Sequence, residues 1–149
     1  MAEVLFYHLV RTDLERVLPD LLERSLQRGW CAKVQVGSAE RVSALNAHLW
    51  TYRDDAFLPH GTAEDGSARE QPIYLSDDEE NPNAASVLFL VDGAQSVALE
   101  GYVRCVLIFD GREESAVAAA RGQWKELKAL GHDLTYWQQD ENGRWQKRG

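Results

Sequence analysis

The sequence predicts an α/β fold, a single domain over residues 1–149 with an open, largely parallel sheet of mixed direction flanked by helices. Three observations point there. Short apolar runs alternate with helically spaced segments along the first fifty residues, the order that builds βαβ crossovers. Residues 86–91 and 103–109 are almost continuously apolar, as strands covered on both faces are. The length of 149 residues suits one domain, which at that size buries roughly 70% of its unfolded surface.

Residues 4–9 read as the first strand. Thr12 followed by Glu15 has the spacing of a capping box, and Leu14, Val17, Leu18, Leu21, Leu22 and Leu26 recur at helical intervals until Gly29. Pro19 lacks a backbone donor, so a kink at Pro19 or a later helix start is expected. Residues 31–36 form the second strand. Ser38 caps a second helix that carries Val42, Leu45 and Leu49 on one face and ends near Trp50. Residues 53–61 connect onward, residues 62–69 read as a mobile loop, residues 72–75 as a short strand and residues 76–83 as an acidic turn. Residues 86–91 and 103–109 then supply the sheet centre. Asp110 with Glu113 resembles a capping box for a third helix running to about Leu130, ended by Gly131. Asn142-Gly143 marks the turn of a terminal hairpin at about 133–149.

The net charge of −8 excludes wrapping nucleic acid over the whole surface, which needs many phosphate-facing cations, and leaves room only for a local basic patch. Acids gather between Asp54 and Glu80, whereas Arg121, Lys125, Lys128, Arg144, Lys147 and Arg148 lie in the last third. Two cysteines, Cys31 and Cys105, suit buried free thiols of a reducing cytoplasm better than a disulfide scaffold. No segment reads as a secretory leader or approaches the roughly 20 apolar residues of a membrane span, so a soluble cytoplasmic protein is expected.

The third helix carries the most chemistry. Counting about 100° per residue from Ala120, Leu127 falls near 340°, Trp124 near 40°, Lys128 near 80°, Arg121 near 100° and Lys125 near 140°. The three cations share a face, and Trp124 stands at the seam between them and the apolar stripe. An indole wall with a cationic rim suits an acidic peptide ending in an apolar side chain. The helix dipole also favours cations in the last turns, and a solvated charged face needs no ligand. Trp50 with Phe57, Leu58, Pro59 and His60 forms a second candidate, either an exposed interface anchor or a cover for the core.

An enzymatic alternative rests on Asp92 and Asp110, each after an apolar strand, with His60 as the remaining polar partner: a small-ligand-binding or hydrolytic α/β site. Helix capping and turn formation explain both aspartates equally well. No phosphate-binding glycine loop, nucleophile elbow or zinc motif is present, and no two of His8, His48, His60 and His132 have metal-ligand spacing. No metal or cofactor is therefore expected.

Several short motifs occur in order along nearly the whole chain: Phe6-Tyr7-His8-Leu9, Leu45-Asn46, Leu49-Trp50, Phe57-Leu58-Pro59-His60-Gly61, Gln71-Pro72-Ile73, Ile108-Phe109-Asp110-Gly111, Ala119-Ala120-Arg121, Trp124-Lys125 and the 131–137 stretch. Together they resemble the chi subunit of bacterial DNA polymerase III holoenzyme. The resemblance implies a non-catalytic accessory subunit on a Rossmann-like sheet without a phosphate-binding loop. It implies a link between the clamp loader and single-stranded DNA-binding protein, made by gripping that protein's acidic, phenylalanine-ended C-terminal tail. The matching positions for the tail are Arg121, Trp124, Lys125 and Lys128. Val117 stands where some relatives carry a base, an exchange expected to weaken the grip. Trp50 and Phe57 match the face that binds the psi subunit or a helicase, which favours the interface reading of that pair. Neither direct binding of nucleic acid nor membrane association is expected, and the terminal hairpin, longer than the ending of familiar relatives, has no assigned role.

Overall fold

The computed structural model describes residues 2–10, 12–51, 59–62, 66–96 and 98–148. Among these the elements are β1 (Glu3–Leu9), α1 (Leu14–Gln27), β2 (Ala32–Val36), α2 (Ala39–Thr51), β3 (Gly61–Thr62), a 3-10 turn (Ala68–Glu70), β4 (Ile73–Ser76), β5 (Val87–Val91), β6 (Arg104–Asp110), α3 (Glu114–Ala129), β7 (Asp133–Gln139) and β8 (Trp145–Lys147). The strands form one sheet in the order β3-β4-β2-β5-β6-β1-β7-β8. All pairings are parallel except β7 with β8. The α/β class, the largely parallel sheet and the terminal hairpin are as the sequence predicts. The two-residue β3 lies where only loop was expected.

The direction of travel decides the layers. The connections β1-α1-β2 and β2-α2-β3 move one way across the sheet, and β6-α3-β7 moves the other. Right-handed crossovers travelling in opposite directions leave their helices on opposite faces. Accordingly Val34, Val87, Phe89, Val106 and Ile108 pack with Leu18, Leu22, Leu45 and Leu49 of α1 and α2. Val4, Phe6, Leu88, Cys105 and Phe109 pack with Ala120 and Leu127 of α3 on the other side. The alternation along each strand sorts the side chains between these two cores. Cys105, fully buried, has its thiol pushed up to about 12 by burial, and both cysteines are free.

Pro19 does not interrupt α1. The helix runs from Leu14 to Gln27 with Asp13 as N-cap residue, and no side-chain hydrogen bond closes the Thr12 capping box. Pro19 leaves the Glu15 carbonyl without its intrahelical donor. His48 of α2 supplies one: its Nε2–H donates to that carbonyl at 2.6 Å. The Asp110 capping box is absent as well. Glu113 is the N-cap residue of α3, and the Asp110 carboxylate accepts instead from the Arg112 N–H at 2.9 Å and the Arg112 guanidinium at 2.8 Å. Ser38 does cap α2, its hydroxyl accepting from the Arg41 N–H at 3.3 Å.

Among the described residues no helix covers β2 on the α3 side, and the acidic turn takes that place. Lys33 of β2 is wholly buried there. Its ammonium donates to the Asp78 carbonyl at 3.0 Å and to the Glu80 carbonyl, and lies 3.4 Å from the Asp78 carboxylate. Burial holds Lys33 below the usual lysine range against the pull of Asp78. Burial pushes the Asp78 carboxyl up, but the Ser76 hydroxyl, the Glu80 N–H and Lys33 together bring it below its ordinary value.

His48→Ala is expected to cost about 1 kcal/mol in urea denaturation, and less in a Pro19→Ala background, where residue 19 regains an N–H for the Glu15 carbonyl. Because Asp78 titrates lower folded than unfolded, its contribution is whole above the ordinary carboxylate range and is lost as pH falls through the folded value. The gap in urea midpoint between the native chain and Asp78→Asn should therefore be constant above about pH 5 and close on acidification.

Candidate functional site

The outward half of α3 and the end of the sheet enclose a small cavity of about 240 Å³, lined by Phe109, Val117, Ala120, Arg121, Trp124, Lys125 and Tyr136. Two strands, β6 and β7, and the helix α3 supply these groups. The parallel pairing of β7 with β1 sets Tyr136 opposite Phe6, and α3 lays Trp124 across both. The indole meets the Phe6 ring edge-on at 5.1 Å and the Tyr136 ring at 5.9 Å, while Phe109 closes against Tyr136 at 6.2 Å. These edge-to-face contacts fix the walls. The Tyr136 hydroxyl and His8 Nδ1 share a hydrogen bond of 2.5 Å.

Arg121 and Lys125 rim this apolar chamber, and both are exposed. Among the described residues no carboxylate lies within salt-bridge distance of Arg121, Lys125 or Lys128. Arg121 bears on the groups behind the wall. Burial, then the nearby Arg121 charge, hold His8 below its ordinary value, against Asp110, which pulls it up. Burial raises the Tyr136 hydroxyl and Arg121 opposes that rise. The site therefore joins an aromatic slot to unpaired positive charge, suited to an apolar side chain carried on an anionic chain.

The structure brings together Arg121, Trp124 and Lys125 but leaves Lys128 outside the lining, one turn farther along α3. Val117 lines the cavity with an apolar surface. The helical count missed Phe109, Tyr136 and His8, which arrive from separate strands. Only the alternation of β7, with Tyr136 on the same face as Leu134, carried a trace of one of them.

On the opposite face, Trp50 ends α2 with 50% of its surface exposed, its ring 4.3 Å from that of His60. Phe57 lies outside the described residues. His60 is buried, and its Nε2–H donates to the Asn46 carbonyl at 3.0 Å.

The trio of Asp92, Asp110 and His60 does not assemble. Asp92 and Asp110 line a cleft of about 500 Å³ at the carboxyl ends of β5 and β6, where open α/β sheets hold ligands. His60 is tucked under Trp50, toward the end of α2 away from Arg41, and is absent from that lining. Both arginines of the cleft are spent on its carboxylates: Arg41 pairs with Glu15 at 2.8 Å and Asp92 at 3.0 Å, Arg112 with Asp13 at 2.9 Å and Asp110 at 2.8 Å. In the β1-α1 turn, where a nucleotide-binding sheet would offer backbone N–H groups to phosphate, Gln139 takes them. Its Oε1 accepts from Val10 at 2.9 Å and Thr12 at 3.3 Å, and its Nε2–H donates to the Thr12 hydroxyl at 2.7 Å. Among the described residues no cluster of three or more His, Cys, Asp or Glu could hold a metal ion, and no helix is long and apolar enough to cross a membrane.

The sequence motifs meet one another in space. The His8 ring lies 4.9 Å from Phe109 and so close over Gly111 that a Cβ there would fall 1.8 Å from Nε2. Gly61 stands against Gln71, whose side chain a Cβ would meet at 2.7 Å. His60 in turn holds the carbonyl of Asn46. A model of the family described as DNA polymerase III chi subunit, HolC, matches residues 1–135. A curated protein of Rickettsia prowazekii (strain Madrid E), named as a probable DNA polymerase III subunit chi, is 29% identical over 107 residues. That similarity covers 70% of this chain and spans 65% of the length of the relative. With a family match that takes in all three helices and the first six strands, the chain belongs to the DNA polymerase III chi subunit family, a family of accessory, non-catalytic subunits.

Proposed function

We propose that this chain is a non-catalytic accessory subunit of the replicative polymerase in the cytoplasm, linking the clamp loader to single-stranded DNA-binding protein by holding that protein's acidic C-terminal tail. The observation that carries the proposal is the aromatic chamber of Phe109, Trp124 and Tyr136 with Arg121 and Lys125 unpaired at its mouth. A terminal phenylalanine would enter the chamber while the acidic residues before it meet the two cations. Charge-assisted hydrogen bonds contribute roughly 1.5–3 kcal/mol each. Two of them, with one buried ring, approach the roughly 8 kcal/mol of a micromolar complex.

Trp50 supports a second contact, with a psi subunit or a helicase, on the face remote from α3. A half-exposed indole at a helix end is the composition of an interface anchor. Phe57 is assigned to the same contact by its matching position. A chain with these two faces bridges two partners without the need for a reaction.

Lys125→Glu is expected to weaken binding of a peptide copying the tail about tenfold, roughly 1.4 kcal/mol, in calorimetry, with an unchanged thermal melt. Lys128→Glu should cost less, since its side chain lies outside the lining, and Trp50→Ala should cost nothing. Added salt should loosen the complex, since its ionic part is exposed. An affinity unmoved by Lys125→Glu would end this reading.

A further inference from the structure

A groove lies on the other face of β7. It measures about 720 Å³ and runs between α1 and the terminal hairpin. Its floor is built by Tyr7, Trp137 and Trp145, because β7 alternates and β8 pairs with it in register: Trp137 stands beside Tyr7 and opposite Lys147, and Trp145 opposite Gln139. Among the described residues α1 is the helix that borders this part of the sheet. Trp145 meets Tyr7 edge-on at 5.0 Å, whereas Trp137 belongs to neither hydrophobic core and is half-buried in the groove. The hairpin turn and β8 lie beyond residue 135, where the family match ends.

Arg16, Asp20 and Arg24, four residues apart on α1, form the facing wall. Arg16 and Arg24 are exposed, as is Lys147, and among the described residues none of the three has a carboxylate within salt-bridge distance. Arg24 is near enough to Tyr7 to oppose the rise that burial imposes on its hydroxyl. Asp20 and Glu141 are the acids of the lining. On a chain of net charge −8, the two arginines of the lining balance its two acids, and Lys147 opposite Trp137 adds the third cation, so cations lie among the indole rings without a local excess of acid.

We propose that this groove binds single-stranded nucleic acid, with Trp137 and Trp145 as stacking surfaces for bases and Arg16, Arg24 and Lys147 as contacts for phosphates. Stacking on an aromatic ring tolerates any base, and guanidinium groups flanking the rings track the backbone. The negative total charge excludes wrapping a polyanion around the whole molecule but not seating a short stretch along Arg16, Arg24 and Lys147. Asp20, between the two arginines, keeps the binding weak. The site is independent of the α3 chamber, since Tyr136 and Trp137 leave β7 in opposite directions.

The test is fluorescence anisotropy of a labelled oligothymidylate titrated with the full chain. Saturable binding is expected, and with about 0.7 of a log unit lost per phosphate contact, three contacts predict roughly a hundredfold weakening over a tenfold rise in salt. Arg24→Glu and Lys147→Glu should each weaken binding several-fold and Asp20→Asn strengthen it, while Lys125→Glu on the other face leaves it unchanged. No rise in anisotropy at low salt overturns the proposal, and so does equal loss from Arg24→Glu and Lys125→Glu, which would mean diffuse attraction. Displacement of the oligonucleotide by an acidic peptide in the Lys125→Glu variant would overturn it too, marking the groove as a peptide site.

Discussion

The structure depends on the parallel pairing of β7 with β1, in the register Glu3 opposite Asp133 through His8 opposite Gln138. This contact seats the last third of the chain on the first strand and decides which side chain faces which helix. Tyr136 is turned toward α3, where it joins Phe6 and Trp124, and Trp137 is turned toward α1, beside Tyr7. Gln139 is carried to the β1-α1 turn. A slip of one residue would exchange the two faces and remove the aromatic chamber. Edge-to-face packing of Phe6, Trp124, Tyr136 and Phe109 holds the register because each ring is placed by a different element.

The same sheet that offers a ligand crevice in nucleotide-binding proteins is closed to that use here. Arg41 and Arg112 pair with four of the five carboxylates that line the cleft, and Gln139 satisfies the backbone donors of Val10 and Thr12. Buried or half-buried polar groups require partners, and these are supplied internally. The cations of α3 and of the α1 groove are not so matched. The contrast between satisfied charge in the crevice and unsatisfied charge on the two outer faces suits a protein that works by contact.

The α3 face and the end of α2 lie on opposite sides of the sheet because the crossovers travel in opposite directions. The acidic turn substitutes for a missing helix over β2, and a buried lysine is the tie that makes the substitution stable. Such a lysine reads in sequence as one polar residue in a strand, and its burial depends on carbonyls more than forty positions away.

Much was legible in the residues themselves. Helical spacing located all three helices, continuous apolar runs located β5 and β6, Asn142-Gly143 located the hairpin, and the wheel of α3 placed Trp124 beside Arg121 and Lys125. These are local signals, set by backbone geometry and by periodicities of 3.6 and 2. The capping boxes at Thr12 and Asp110 failed because the groups they would have used found other partners: distant Gln139 for the Thr12 hydroxyl, and Arg112, two residues on, for the Asp110 carboxylate. Pro19 was harmless because His48 stood ready to serve Glu15. The sequence by itself determined the elements, their order and the charge of each face. Only the tertiary structure decided strand order, the walls of the α3 chamber, the separation of His60 from Asp92 and Asp110, and the groove beneath Trp137. These arise from pairings between residues far apart in the chain, whose free energies no local pattern records.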